Sequence, residues 1–479
     1  MMRVYNSLSF TMEEFKTINP KEVLMYVCGP TVYDSPHLGH AKSAVAFDIV
    51  RRYLEYKGFE VKLVKNYTDI DDKIIERANE RGIDYKDLSE KYIKEYEGIM
   101  NLLNIKPNYK TPRATEIIDF MIDVIQSLIE KGFAYESNSS VYFSVKKCEN
   151  YETLFQNIER LEEENENYEI PLNRDPLFGD KYDEKDFVLW KKWKEGEPYW
   201  ESPWGKGRPG WHIECSCMAI QLLGKVIDIH GGGLDLKSPH HKNEIAQSIA
   251  YTGEDQFANY FLHNGFVNVD NEKMSKSLGN FFLVTDILKR FDPMVIRLFL
   301  ITSHYRHSID YTLDNMQQAE RIYNKILNTI QKIYEKETVE IDSKDTTSLI
   351  SEIQRTKEDI IIAMDDDFNT PNAIAAILTL VRKVNQYIFS KNNNISKEFK
   401  DKFFKFINEL NDIFGIFPNL KNRLKFGMSG QFDEKDDLIN QLLEILKVTR
   451  KELRERKLYE LSDKIRDTLN EMGIKIEDN

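Results

Sequence analysis

Val23-Leu24-Met25-Tyr26-Val27-Cys28-Gly29-Pro30-Thr31-Val32-Tyr33-Asp34-Ser35-Pro36-His37-Leu38-Gly39-His40 is the stretch on which the fold turns. Its first five residues are a short apolar run closed by Cys28-Gly29-Pro30, the pattern of a buried strand that ends at a turn. A helical pattern follows from His40 to Lys57, with Ala44, Phe47, Val50 and Leu54 on its apolar face. Gly58 stops it. Val61–Val64 reads as the next strand, and Asn66–Lys73 caps a further helix. Strand, helix, strand, helix predicts an α/β fold with a parallel sheet. His37-Leu38-Gly39-His40 falls at its first strand-to-helix turn, where such sheets bind nucleotides.

Outward from this core the pattern breaks after Phe120. Residues 121–207 read as an insertion carrying a hairpin at Ser140–Ser144, a solvated acidic run at Glu162–Glu166 and several tryptophans. The parallel fold resumes at Gly210–Cys215 and continues with a strand at Val226–His230. Gly231-Gly232-Gly233 is expected to turn that strand, and a helix to follow from His240 to Tyr251. Tyr260–Asn264 is one more strand. From Thr285 the chain reads as helical, with Asp292-Pro293 splitting two helices and a bundle over residues 317–417. Phe426–Gly430 reads as a linker to a small C-terminal unit, 431–479.

At 479 residues, with 41% hydrophobic and 12% aromatic content, the chain predicts a globular protein with more than one core. It has no apolar run of about eighteen residues, which predicts no membrane span. Met1–Phe10 lacks the pattern of a signal peptide. Four cysteines (Cys28, Cys148, Cys215 and Cys217) make no disulfide framework at this size and fit a reducing cytoplasm. The net charge of −13 does not exclude a nucleic-acid partner, because placement of charge outweighs its sum.

Two motifs carry the chemistry. In Lys273-Met274-Ser275-Lys276-Ser277, two lysines flank small hydroxyl residues and can grip a triphosphate that is losing pyrophosphate. In His37-Leu38-Gly39-His40, two imidazoles and a glycine open a helix at its positive end. Together they resemble the signature pair of the class I aminoacyl-tRNA synthetases. Cys28, Cys215, His240 and Glu244 are an acceptable zinc set, with His240 and Glu244 one helical turn apart. The residues alone leave open a small buried hydrophobe at each cysteine and a plain helix cap at His240.

Cys28–Asp34, Gly207–Ser216, and His230–Leu236 with His240–Glu244 resemble the cysteinyl-tRNA synthetase family, in order along the catalytic half. The resemblance implies a class I Rossmann-type catalytic domain in two parts, 1–120 and 208–265, around a connective insertion, 121–207. It further implies a loop and stem-contact region at 266–310, a helical bundle at 311–425 and an anticodon-binding domain at 431–479. One Zn2+ per chain is implied at Cys28, Cys215, His240 and Glu244, and ligand positions do not fall on Cys217 or His241. Cys28, Gly29, Thr31, Thr68 and Trp211 are implied to meet the amino acid. His37, Gly39, His40, Gly231, Gly232, Asp235 and Lys276 are implied to meet ATP. His37, His40, Lys273 and Lys276 act on its phosphates, with Mg2+ accompanying the nucleotide.

The C-terminal unit is similar to the anticodon-binding end of the bacterial enzymes. Arg450, Arg454 and Lys457 share a helical face for phosphates, Tyr459 is placed to stack on a base, and Asp463 follows. The implied partners are tRNA(Cys), L-cysteine and ATP, for a cytoplasmic monomer that does not bind membranes. Leu236, Lys237, Ser238 and Lys242 depart from the family, which more often has an apolar pair and an acidic residue there. Two rival readings are a cysteine ligase acting on an amino-sugar thiol precursor, which lacks the anticodon unit, and an RNA-binding protein built on an inactive synthetase.

Overall fold

The computed structural model describes residues 1–149, 151–155, 180–269, 272–273, 281–339, 344–391, 395–420 and 458–471, together with 424, 446, 449–450 and 453–454. Met274–Ser277, the acidic run Glu162–Glu166, the linker Phe426–Gly430 and Lys457 lie outside the described residues. The chain forms two compact units, Met1–Asn419 and Leu420–Asn479.

The first unit is built on a four-stranded sheet. Ala258–Asn264, Ile227–Gly233, Glu22–Val27 and Glu60–Lys65 lie side by side in that order, each pair parallel. Val23–Val27 is buried along its whole length, as a strand covered on both faces must be. The two central strands connect outward in opposite directions. A crevice therefore opens at their C-terminal ends, the switch point at which α/β sheets bind ligands.

The helix expected from His40 begins at Leu38 and runs to Tyr56. It packs on the neighbouring strand through Phe47, and a Cβ added to Gly231 would come within 2.3 Å of that ring. The strand continues through Gly231-Gly232 to Gly233, in place of the turn that the sequence predicts. Close packing explains the difference: a Cβ on Gly232 would also meet His241 at 2.9 Å. The following helix begins at Lys242, not His240, after a wider turn over Lys237–His241.

Within the insertion, Ala134–Ser137 and Ser140–Phe143 form the expected hairpin. Phe187–Lys192 and Gly207–Pro209 extend it to a four-stranded antiparallel sheet. Beyond Asn264 a short sheet pairs Val267–Val269 with Glu272–Lys273 and Ile309–Tyr311. Asp292 caps the helix Pro293–Ile301, where the sequence predicts a break. Leu313–Glu335, Lys344–Asp365, Thr370–Lys391 and Lys397–Phe414 are the long helices of the bundle.

A buried ion pair joins the sheet-bearing part to the helices. Arg297 is fully buried and donates to Asp48 and to the carbonyls of Leu103, Asn104 and Phe414. Asp48 also accepts from Arg52 Nε at 2.6 Å and from the Lys106 amide at 2.9 Å. Burial pushes the Asp48 carboxyl up, but Arg297 and Arg52 outweigh it and hold the group below its usual range. Removing one partner of a buried pair strands the other charge, so Arg297→Met should cost roughly 3–5 kcal/mol. Urea unfolding checks this, and an unchanged midpoint would show that the pair adds nothing net.

Candidate active site and metal centre

The start of the helix Leu38–Tyr56 is capped by its own histidines. His37 Nδ1 accepts from the Gly39 amide at 3.1 Å, and His40 Nδ1 accepts from the His37 amide at 3.3 Å. The two rings stack with centroids 3.7 Å apart. They stand over the positive end of the helix dipole, which favours anions, while its first amides are taken up by Phe282 O, His37 Nδ1 and His37 O.

A cavity of about 540 Å³ opens beside this helix end. Its walls include Cys28, Gly29, Thr31, His37, Gly39, His40, Thr68, Trp211, Cys215, Asp235 and His240, which the sequence scatters over more than two hundred positions. Thr31 and Thr68 pair as an isolated parallel bridge, extending the sheet edge into the wall. Gly233 reaches the cavity, whereas Gly231 and Gly232 sit one layer behind it, against Phe47 and His241.

Two donor groups converge at the cavity floor. Cys28, Cys215, His240 and Glu244 form one, and Cys28, His230, His241 and Glu244 the other, each with ligand atoms within 4.8 Å of one another. All six residues are buried. Glu244 is the hub: its Oε1 lies 2.6 Å from His240 Nε2 and 3.4 Å from Cys28 Sγ, and its Oε2 lies 2.7 Å from His230 Nε2. Thiolate, imidazole and carboxylate are zinc donors, so the residues fit such an ion. Cys28, Cys215 and His240 face the cavity, which makes the first group the one open to a ligand. In the second, His241 is engaged through Nδ1 with His263 Nε2 at 2.8 Å.

The surroundings tune these donors. The hydrogen bond from Cys28 pulls the Cys215 thiol down to about 6, against the effect of burial, while burial pushes Cys28 well up. Burial also acts against the charged Glu244, but His230 and His240 outweigh it and hold the carboxyl well below its usual range. In return Glu244 overcomes desolvation of His240 and carries that imidazole up to about 10. Burial drives His241 and His263 well down, so both are neutral. Behind the wall, Thr68 Oγ1 donates to Glu214 Oε2 at 2.7 Å. The Trp211 ring lies 4.2 Å from that of His240.

The structure thus assembles the predicted metal, amino-acid and helix-end residues in one place. Of the lysine motif, only the backbone of Lys273 is described, in the strand Glu272–Lys273. In the sequence His230 stands at the head of a motif but has no place among the donors; it enters because its strand pairs it with Tyr26, on which it stacks at 5.5 Å. Lys65, Lys73, Tyr96 and Phe266 also line the cavity without belonging to either motif.

In the second unit the shared basic face is not formed as predicted. Arg450 is only 4% exposed and donates through Nε to the Ser462 carbonyl at 3.2 Å, so it serves the unit's interior and is turned from phosphates. Arg454 lies 3.9 Å from Asp463, both partly exposed, and Tyr459 is 56% exposed.

Comparison with known proteins agrees with this geometry. The family model described as tRNA synthetases class I (C) catalytic domain matches residues 14–321, and the DALR domain matches residues 360–418. Cysteine–tRNA ligase of Methanococcus maripaludis strain C7 is 46% identical over 484 residues, covering 100% of this chain and 98% of that protein. The strain C6 protein of the same description is 47% identical, with the same coverage. Among solved structures, methionyl-tRNA synthetase of Mycobacterium tuberculosis with methionyl-adenylate superposes with TM-score 0.58 at 13% identity, over 82% of this chain and 90% of that one. A LeuRS–tRNA–LeuAMS complex of Agrobacterium radiobacter K84 reaches TM-score 0.62 at 10% identity, over 87% and 86%. These last two show the fold alone.

The two donor groups make different predictions. Metal loading of the purified protein should be lost in Cys215→Ala and largely kept in His241→Ala, as read by elemental analysis. The opposite pattern would move the ion to the deeper group.

Proposed function

The chain belongs to the cysteine–tRNA ligase family of class I aminoacyl-tRNA synthetases, and from that premise we propose how its own residues divide the work. The enzyme activates L-cysteine with ATP, releasing pyrophosphate, and transfers the cysteinyl group to the terminal adenosine of its tRNA. Identity along the whole chain, the C-terminal unit included, stands against the amino-sugar ligase reading.

Neither step needs a protein nucleophile, so the residues act by holding and by stabilising charge. His37, Gly39 and His40 receive the phosphates at the positive end of the helix, where the two imidazoles border the cavity. Lys273 and Lys276 neutralise the departing pyrophosphate, with Mg2+ accompanying ATP. Asp235 and Gly233 border the place proposed for the ribose. Thr68, fixed by Glu214, and Trp211, tilted against His240, wall in the side chain of the amino acid.

The observation that carries the substrate choice is that Cys28, Cys215 and His240, though buried, line the cavity floor, with Glu244 closing the set behind them. A single Zn2+ held there would bind a thiolate and favour deprotonation of a thiol, for which a serine hydroxyl is a poor substitute. This supports selection without editing. In the second unit Arg454 and Tyr459 remain the candidates for contact with tRNA(Cys). We further assign a monomer in the cytoplasm, a setting that suits four free cysteines.

Cysteine-dependent pyrophosphate exchange tests the reading. Serine should support it less well by far more than the roughly hundredfold that shape alone provides; parity of the two substrates would sink the proposal. Ending the chain at Gly430 should leave exchange near normal and sharply lower tRNA charging, measured with the same preparation. Equal charging by both forms would remove tRNA recognition from the C-terminal unit.

A further inference from the structure

We propose that Lys42 is a positioning residue for cysteine activation, holding the cavity wall at Gly265–Val267 in register with the His37–His40 turn; the inference rests on the function proposed above. Lys42 lies two residues beyond His40 on the same helix and is 2% exposed. Its Nζ donates to the Phe266 carbonyl at 3.0 Å and to the His307 carbonyl. One side chain thus joins three stretches of chain: the helix bearing both histidines, the wall, and the turn after the helix Pro293–Ile301.

That turn is itself held firmly. Asp367 accepts from the Tyr5 amide at 2.9 Å, from the Tyr305 hydroxyl at 2.9 Å and from Arg306 Nε at 2.6 Å. The wall lies directly on it. Gly265 donates to the Tyr305 carbonyl at 2.9 Å, and a Cβ at Gly265 would meet the His307 carbonyl carbon at 2.4 Å. Ile309 donates to Phe266 O at 3.0 Å, so this carbonyl takes both Lys42 and a strand amide. From Phe266 the chain runs through Val267–Val269 to Lys273, and where it is next described it returns to the same helix start. His37 bridges Leu283, the Leu38 amide donates to Phe282 O at 3.2 Å, and the Val284 amide donates to Pro36 O at 3.1 Å.

The histidine turn is therefore fastened to the outgoing chain through Lys42 and to the returning chain through backbone. Phosphates gripped from both sides require those sides to keep their spacing, and a misplacement of about 1 Å costs about a hundredfold in rate. Gly265, Phe266 and Val267 line the cavity, while Lys42 stands behind them. Cys28, Thr68 and Trp211, which face the amino acid, belong to other segments. Loss of Lys42 should then slow the chemical step and spare cysteine binding.

The test compares Lys42→Met and Lys42→Arg in the full-length enzyme, by pyrophosphate exchange, with metal content and thermal midpoint measured alongside. Lys42→Met should lower kcat roughly hundredfold, with the KM for cysteine within about twofold of the parent and with metal content unchanged. Lys42→Arg, whose fork of N–H groups can reach two carbonyls, should recover most of the loss. The proposal is overturned if Lys42→Met keeps kcat within about threefold. It is equally overturned if activity, metal and midpoint fall together and Lys42→Arg restores none of them. Absence of exchange in the parent enzyme would instead sink the functional reading on which this inference depends.

Discussion

Glu244 is a carboxylate with no exposure to solvent, and an isolated charge in that position would be expensive by several kcal/mol. Its neighbourhood is what makes it tolerable. His230 and His240 approach its two oxygens at 2.7 and 2.6 Å, and the Cys28 thiol reaches Oε1 at 3.4 Å. Those partners come from a strand, the wide turn over Lys237–His241 and the end of another strand. The sheet order must therefore bring Glu22–Val27 beside Ile227–Gly233 before the carboxylate can be buried at all. The strand glycines are part of the same constraint, since side chains at Gly231 and Gly232 would collide with Phe47 and His241.

The same arrangement bears on specificity. A thiol and a hydroxyl differ too little in size for the wall proposed at Thr68 and Trp211 to separate them strongly. Soft donors at the cavity floor add a chemical criterion to the steric one. The Cys28–Cys215 pair illustrates how: one thiol is pushed up by burial while the other, accepting its hydrogen bond, is pulled down to about 6.

The helix Leu38–Tyr56 connects this chemistry to the helical part of the first unit. Its first turn presents His37 and His40, Lys42 fastens it to the cavity wall, and Asp48 meets the buried Arg297. Arg297 in turn caps the carbonyl of Phe414 at the end of the last bundle helix. The last bundle helix and the helix that carries His37 and His40 are thus tied through hydrogen bonds to buried groups that have no solvent to fall back on.

How far the sequence speaks depends on the range of the interaction. Strands, the helix over Leu38–Tyr56, the break at Asp292, and the identity of Cys28, Cys215, His240 and Glu244 as a donor set were all legible. They rest on local periodicity, on residue chemistry and on motifs that resemble a known family. Tertiary structure alone decided the rest. His230 joins the cluster through strand pairing with Tyr26, and Gly231-Gly232-Gly233 stay extended because a ring and an imidazole press on them. Arg450 turns inward, where its Nε donates to a carbonyl twelve residues away. Lys42 reads in sequence as one more helical lysine, and only the meeting of carbonyls from positions 266 and 307 gives it a task. Side-chain spacing records what repeats within a few turns of chain; it holds no record of which distant backbone groups will be left, after folding, without water.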